Sequence, residues 1–345
     1  MERDITFYDR DYKRTCASIG WALLLFLGIY RVLFTGAGHV SDALEGLMLY
    51  KWHYTLSELM NIAAYLLTFL LPAFFLRFLL RKKKVFTAPD YSFDKITANS
   101  LLLIPATIGV AILASFVNTL VMDNFGVTEA YRSLVGFDGR YDGYQIVLLY
   151  VSTALVPAFC EEFLFRGTIL ANLTPYGKRG AVMISALLFG LMHQNPYQII
   201  YTTVSGLLLG MAYIKTGSIW LPTAIHFLNN AYSVTSEVIY ANVEPALATA
   251  ILTVLQLLIV AIGVASFIIY LKLEKKRAAH RFDNGFFGRE IEPDKSFSEK
   301  PISKGIAFKG FARASIILYI VATVLSMATI LLNLMIIASN GIGAI

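Results

Sequence analysis

Charge is scarce in this chain. Of 345 residues, only 15% are Asp, Glu, Lys or Arg, where a soluble globular chain carries about a quarter. That shortage excludes a large solvated surface. Cysteine is scarcer still: Cys16 and Cys160 are the only two, and both lie in apolar stretches, which argues against a disulfide framework. Several signatures are missing altogether. There is no His-Glu-x-x-His pair, so the usual zinc-peptidase arrangement is absent. A Gly-rich phosphate loop, an internal repeat and the inverted repeat of many secondary transporters are not seen either. What fills the chain instead is apolar: 57% of residues are hydrophobic and the mean hydropathy is +0.63.

The apolar residues come in blocks of roughly twenty, the length that crosses about 30 Å of hydrocarbon as a helix. Nine blocks are visible, at residues 16–34, 59–80, 101–122, 144–171, 180–194, 198–214, 219–236, 247–273 and 314–338. The fifth to seventh are short or interrupted by Gly and Pro. The fold expected is an all-α polytopic transmembrane helical bundle of about 8–9 spans. The first block is too long for a signal-peptide core and has no small-x-small cleavage site after it, which predicts an uncleaved span. Lys and Arg favour the cytoplasmic side of a membrane. They cluster at Arg81 to Lys84, at Lys178-Arg179, at Lys215 and from Lys272 to Arg281, whereas the alternate loops hold only Lys51, Arg132 and Arg140. This places the N-terminus in the cytoplasm and, with nine spans, the C-terminus outside. The net charge of +6 then reports topology and contact with acidic membrane lipid, with no call for nucleic acid. Residues 274–313 are polar and predict a cytoplasmic connector.

Within this apolar chain a few polar residues stand out. Glu161 and Glu162 sit in the fourth block, and one charge at a bilayer centre costs about 2.5–3.5 kcal/mol on insertion scales. Arg166 is four residues after Glu162, on the same helical face and in the favourable order for an ion pair. Glu161 points about 100° away and has no local partner; read alone, it is either a structural residue bonded to a neighbouring helix or a functional one. His193 lies near the end of the fifth block, and alone reads more readily as a packed, satisfied residue than as a catalyst. His226 and Asn230, in the seventh block, are four apart and share a face that should look into the bundle. At about 1.5 Å per residue, Glu161, His193 and His226 stand about 15, 20 and 12 Å from the inner ends of their helices. They converge at one level, expected to open to the cytoplasm. A carboxylate, two imidazoles and an amide in a wet pocket are what amide hydrolysis requires: one group takes a proton from water and others stabilise the oxyanion.

Glu161-Glu162-x-x-x-Arg166, Phe189-x-x-x-His193 and His226-x-x-x-Asn230, each on its own apolar helix, resemble the CPBP family. That family comprises CAAX prenyl endopeptidases of the Ras-converting type and bacterial Abi-like relatives. The resemblance covers residues 145–237. It implies that Glu161 and His193 activate water, that His226 and Asn230 bind the oxyanion, and that Glu162 and Arg166 support them. It also implies a location in a bacterial cell membrane. Metal-free catalysis with no cofactor is expected, with zinc held by Glu161, His193 and His226 as the alternative.

The chain is thus expected to divide into N-terminal spans and loops (1–143), a catalytic helical core (144–237) and C-terminal spans (238–345) that include the 274–313 connector. The expected function is intramembrane endopeptidase. Its partner is a peptide or protein substrate that is membrane-associated: a CAAX-type prenylated tail, or a bacteriocin, leader or signalling peptide. Two other classes compete. A non-catalytic scaffold or immunity protein would keep working without Glu161, and a proton-coupled transporter would show pH-driven flux and no cleavage product.

Overall fold

The computed structural model describes residues 2–45, 50–81, 87, 91–128, 131, 140–284 and 312–339. Among these there is no strand, and each of the nine apolar blocks is a helix. They are α1 (Glu2–Glu45), α2 (Tyr50–Leu80), α3 (Ala98–Asp123), α4 (Gly143–Tyr176), α5 (Lys178–Met192), α6 (Ile199–Thr216), α7 (Trp220–Asn242), α8 (Pro245–Asn284) and α9 (Ala314–Ser339). Seven are long and apolar enough to cross a membrane; α5 and α7 are not. The 15 residues of α5 rise only about 22 Å. Helix α7 has the length, at 23 residues, but carries too many polar residues, among them His226, Asn229 and Asn230. The protein is an all-α polytopic bundle.

Helix ends follow local chemistry. Asp142 and Gln145 form a capping box at the start of α4, with the Asp142 N–H donating to Gln145 Oε1 at 2.7 Å. Gly217 takes a left-handed conformation (φ 67°) and closes α6, its N–H donating to the Tyr213 carbonyl at 2.7 Å. The helices overrun the apolar blocks at several ends. Helix α1 begins near the start of the chain, where Lys13 pairs with Asp9 one turn earlier at 2.5 Å. The 274–313 connector is also shorter than its polarity predicts. Glu274, Lys275, Lys276 and Arg277 are good helix formers, Arg277 reaches Glu274 at 3.7 Å, and α8 continues to Asn284. The rest of that connector up to Phe311 lies outside the described residues, as do Lys82 to Lys84 and Arg132.

In hydrocarbon, helices gain little from hiding apolar surface from one another, so close van der Waals packing holds them together. Small residues permit it. Gly109 of α3 faces Gly263 of α8, where an added Cβ would come within 2.7 Å of the Pro105 carbonyl oxygen. The main core joins α1, α2, α4, α5 and α9 around Phe26, Phe69, Leu164, Phe165 and Phe189. Helices α8 and α9 are the periphery: only 17% and 11% of their most apolar windows are buried.

Successive helices run in opposite directions, so the bundle has two ends. One gathers the start of α1, the end of α2, the α4–α5 junction, the end of α6, the end of α8 and the start of α9. It is fastened by Ser315 Oγ donating to the Ala17 carbonyl at 2.9 Å and by the Lys215–Glu274 ion pair. At the other end, Tyr141 donates to Glu237, and Tyr131 stacks on Tyr197 with ring centres 4.0 Å apart.

Candidate active site

The site is built on an irregular helix. In α4, a regular stretch, Val156–Leu164, lies between two wider π turns, Tyr150–Leu155 and Phe165–Leu170. The cause of the first can be read in the chain. Pro157 has no N–H, so the Thr153 carbonyl four residues earlier loses its regular helical donor. The backbone widens, and Val156 N–H reaches back five residues to the Val151 carbonyl. Such π turns are frequent at functional sites. The side-chain amide of Asn230 donates to the Thr153 carbonyl at 3.4 Å, so α7 supplies a donor where the proline withheld one.

The expected ion pair is present. Arg166 and Glu162 are fully buried, with Nη1 to Oε1 at 2.7 Å. Arg166 Nη2 donates to the Gly206 carbonyl at 3.0 Å and its guanidinium sits 4.5 Å from the centre of the Phe189 ring. The same Glu162 Oε1 also accepts from His226 Nδ1 at 2.9 Å. One carboxylate therefore ties α4 to α7, and through Arg166 to α6.

Glu161 is buried as well, at 3% exposure. Its Oε1 accepts from the Tyr65 hydroxyl of α2, a partner the sequence reading missed. Its Oε2 faces both imidazoles, 3.9 Å from His193 Nε2 and 3.8 Å from His226 Nε2, and receives no hydrogen bond from the described residues. The two rings differ in what fixes them. His193 Nδ1 bonds the Phe189 carbonyl at 2.9 Å. A carbonyl only accepts, so Nδ1 carries the hydrogen, and in the neutral ring Nε2 offers a lone pair. His226 Nδ1 is held by a carboxylate instead, the arrangement that orients an imidazole and stabilises its charged form in acid–base sites. The Phe189 ring meets both edgewise, at 5.0 and 5.9 Å between centres.

His193 is not inside its helix but caps it. Gln194, next to it, has a left-handed backbone (φ 50°), uncommon for a residue other than Gly. Its N–H donates to the Leu191 carbonyl at 3.1 Å and its side-chain oxygen accepts from Arg31 at 2.9 Å. The chain turns there and leaves His193 at the end of α5.

All four residues expected to be catalytic line one cavity of about 510 Å³, within the range of ligand sites. Asn229 and Tyr201, hydrogen-bonded to each other, line it too; the i, i+4 spacing pointed to Asn230 and passed over its neighbour. The cavity lies in the half of the bundle remote from Lys178 and Arg179. Phe34, Glu58, Ser152, Gln198 and Ser233 line the part farthest from the basic end, and the floor toward the basic end is formed by Leu209 and Ile225, at 3% and 1% exposure. An opening at the Lys- and Arg-rich end, as expected above, is therefore corrected. Rise per residue fixes depth along a helix but not which end a cavity is open to. Among the described residues, no group of three or more His, Cys, Asp or Glu side chains is arranged to hold a metal ion. Both cysteines are buried and neither is in a disulfide.

Residues 143–232 match the family model described as type II CAAX prenyl endopeptidase Rce1-like. Over 92 residues the chain is 28% identical to a Bacillus subtilis (strain 168) protein titled "Putative membrane peptidase YdiL". That match covers 26% of this chain and 37% of the relative, so the chain spans little more than a third of the relative's length. No solved structure matches. The matched segment begins with α4 and contains every member of the Glu161, His193 and His226 cluster, and over that segment the chain is similar to the CPBP family of membrane proteases.

Proposed function

We propose that this protein is an intramembrane endopeptidase that hydrolyses a peptide bond in a membrane-associated peptide or protein. The observation that carries the reading is the meeting of Glu161 Oε2 with the Nε2 atoms of His193 and His226 at 3.9 and 3.8 Å, inside a cavity. These separations leave room for a water oxygen within hydrogen-bond reach of all three groups.

In this mechanism Glu161 and the neutral His193 take a proton from the attacking water. Tyr65 holds the other oxygen of Glu161, so that Oε2 faces the water. The attacked carbonyl develops negative charge, and the donors assigned to it are His226, protonated at Nε2 and backed by Glu162, and the Asn230 amide. The proton then passes from Glu161 or His193 to the leaving amine. Glu162 and Arg166 hold the frame. The mechanism is metal-free; zinc on Glu161, His193 and His226 would instead supply Lewis-acid activation of the water.

A proton-coupled transporter needs a polar path through the bundle, and the apolar floor at Leu209 and Ile225 speaks against one. The test is peptide mass analysis of membranes with and without the protein, beside a Glu161→Ala control. New peptides that need both the protein and Glu161 support the reading. Function retained by Glu161→Ala with no new peptide would favour the scaffold.

A further inference from the structure

The two ends of the bundle differ in charge, and the cavity belongs to one of them. At the end remote from the cavity stand Lys13, Arg77, Lys178, Arg179, Lys215 and Arg277. Toward the cavity end, the described basic residues are Arg31, Lys51 and Arg140, and they are accompanied by Glu58, Asp123, Asp142, Glu237 and Glu244. Lys and Arg next to membrane spans are retained on the cytoplasmic side. The geometry points to a cavity that opens on the non-cytoplasmic face, and so to a substrate that is an internal segment of a membrane-anchored or exported peptide on that face, in place of a cytoplasmic C-terminal tail. The substrate half of this inference rests on the peptidase reading above; the orientation does not.

Two further features agree. Exposure along the cavity rises away from the basic end, from the buried Leu209 and Ile225 to the exposed Ser233 of α7. The lining is also acidic: Glu58 and Glu161 are present, and no Lys or Arg is found among the described residues that form it. A free C-terminal carboxylate beside the cleaved bond would face two carboxylates with no Lys or Arg on the lining to meet it, His226 being assigned to the oxyanion, at a position where desolvated like charges repel. An uncharged internal segment meets no such penalty. Glu237, which accepts from the Tyr141 hydroxyl, is a further acidic residue at this end of the bundle.

Single cysteines test the orientation without any need for activity. The native Cys16 and Cys160 are buried and serve as the background. In intact cells an impermeant maleimide should label Glu244→Cys, in the exposed α7–α8 turn, and Ser233→Cys, on the cavity wall. It should leave Arg179→Cys unlabelled until the cells are permeabilised. Labelling of Arg179→Cys with protection of Glu244→Cys would overturn the orientation, and protection of Ser233→Cys alone would overturn the open mouth. Glu244 and Arg179 are exposed, so neither variant depends on repacking. For the substrate, the peptides released in the mass analysis should come from non-cytoplasmic segments cut away from a free C-terminus. Cuts a few residues from a cytoplasmic C-terminus would overturn that half, while absence of any cut would count against the peptidase reading and leave the orientation standing on its labels.

Discussion

Replacing Glu162 by Gln is the sharpest perturbation of the frame that holds the site. Glu162 and Arg166 are both fully buried and 2.7 Å apart. Gln is nearly the same shape, and its carbonyl oxygen can still accept from Arg166 and from His226 Nδ1, so packing is kept and only the charge is lost. Arg166 then retains the Gly206 carbonyl at 3.0 Å and the Phe189 ring at 4.5 Å, neither of which neutralises it. Breaking a buried pair in this way costs about 3–5 kcal/mol, roughly a hundred- to several-thousandfold in the folding equilibrium at about 1.4 kcal/mol per tenfold. The assay is the thermal midpoint of the purified variant in detergent, followed by size-exclusion after heating, together with the amount inserted in membranes. Glu162→Gln should be clearly less stable, and Glu162→Gln/Arg166→Met should recover much of the loss, because an apolar replacement removes the stranded charge. A Glu162→Gln protein as stable as wild type would refute the reasoning. A double variant no better than the single would move the loss from Arg166 to the contact with His226.

Other outcomes follow from the same contacts. Tyr65→Phe deletes the donor to Glu161 Oε1; hydrogen bonds to charged groups contribute about 1.5–3 kcal/mol, so the thermal midpoint should fall, and an unchanged midpoint would show that the bond is idle. Asn230→Ala should lower kcat by roughly 10²–10³ with little change in KM, as loss of one oxyanion donor does. If Asn229→Ala shows that loss instead, the role belongs to the neighbour bonded to Tyr201. Purified active protein should keep its activity after chelator treatment and hold no stoichiometric zinc; activity lost to the chelator and restored by zinc would reverse the metal-free assignment.

Much of this was legible in the sequence. Nine apolar blocks predicted nine helices because most of the blocks are long and polar or turn-forming residues separate them, although two of the resulting helices, α5 and α7, are not long and apolar enough to cross a membrane. The Glu162–Arg166 pair was legible because i, i+4 spacing sets a contact within one helix. What was not legible depends on contacts between distant segments or on irregular backbone. Tyr65 and Glu161 are 96 residues apart; a hydroxyl inside an apolar run signals that a partner must exist, but not which one. The spacing of His226 to Asn230 did not reveal that His226 would share Glu162 with Arg166, nor that Asn229 would line the same cavity. The wide turn before Val156 and the left-handed Gln194 re-aim Glu161 and His193, and no regular helical periodicity describes either. The side on which the cavity opens required the relative positions of the seven helices that line it.

The central claim is that Glu161 activates water for peptide hydrolysis. The most direct measurement is single-turnover cleavage, in water enriched in oxygen-18, of a peptide recovered from the membrane comparison, by purified wild type and by Glu161→Gln. Wild type should cut the peptide and place one heavy oxygen in the new carboxyl group. Glu161→Gln, which inserts and folds but carries a very poor proton acceptor, should lose at least as much rate as Asn230→Ala. Cleavage by Glu161→Gln at the wild-type rate would contradict the account.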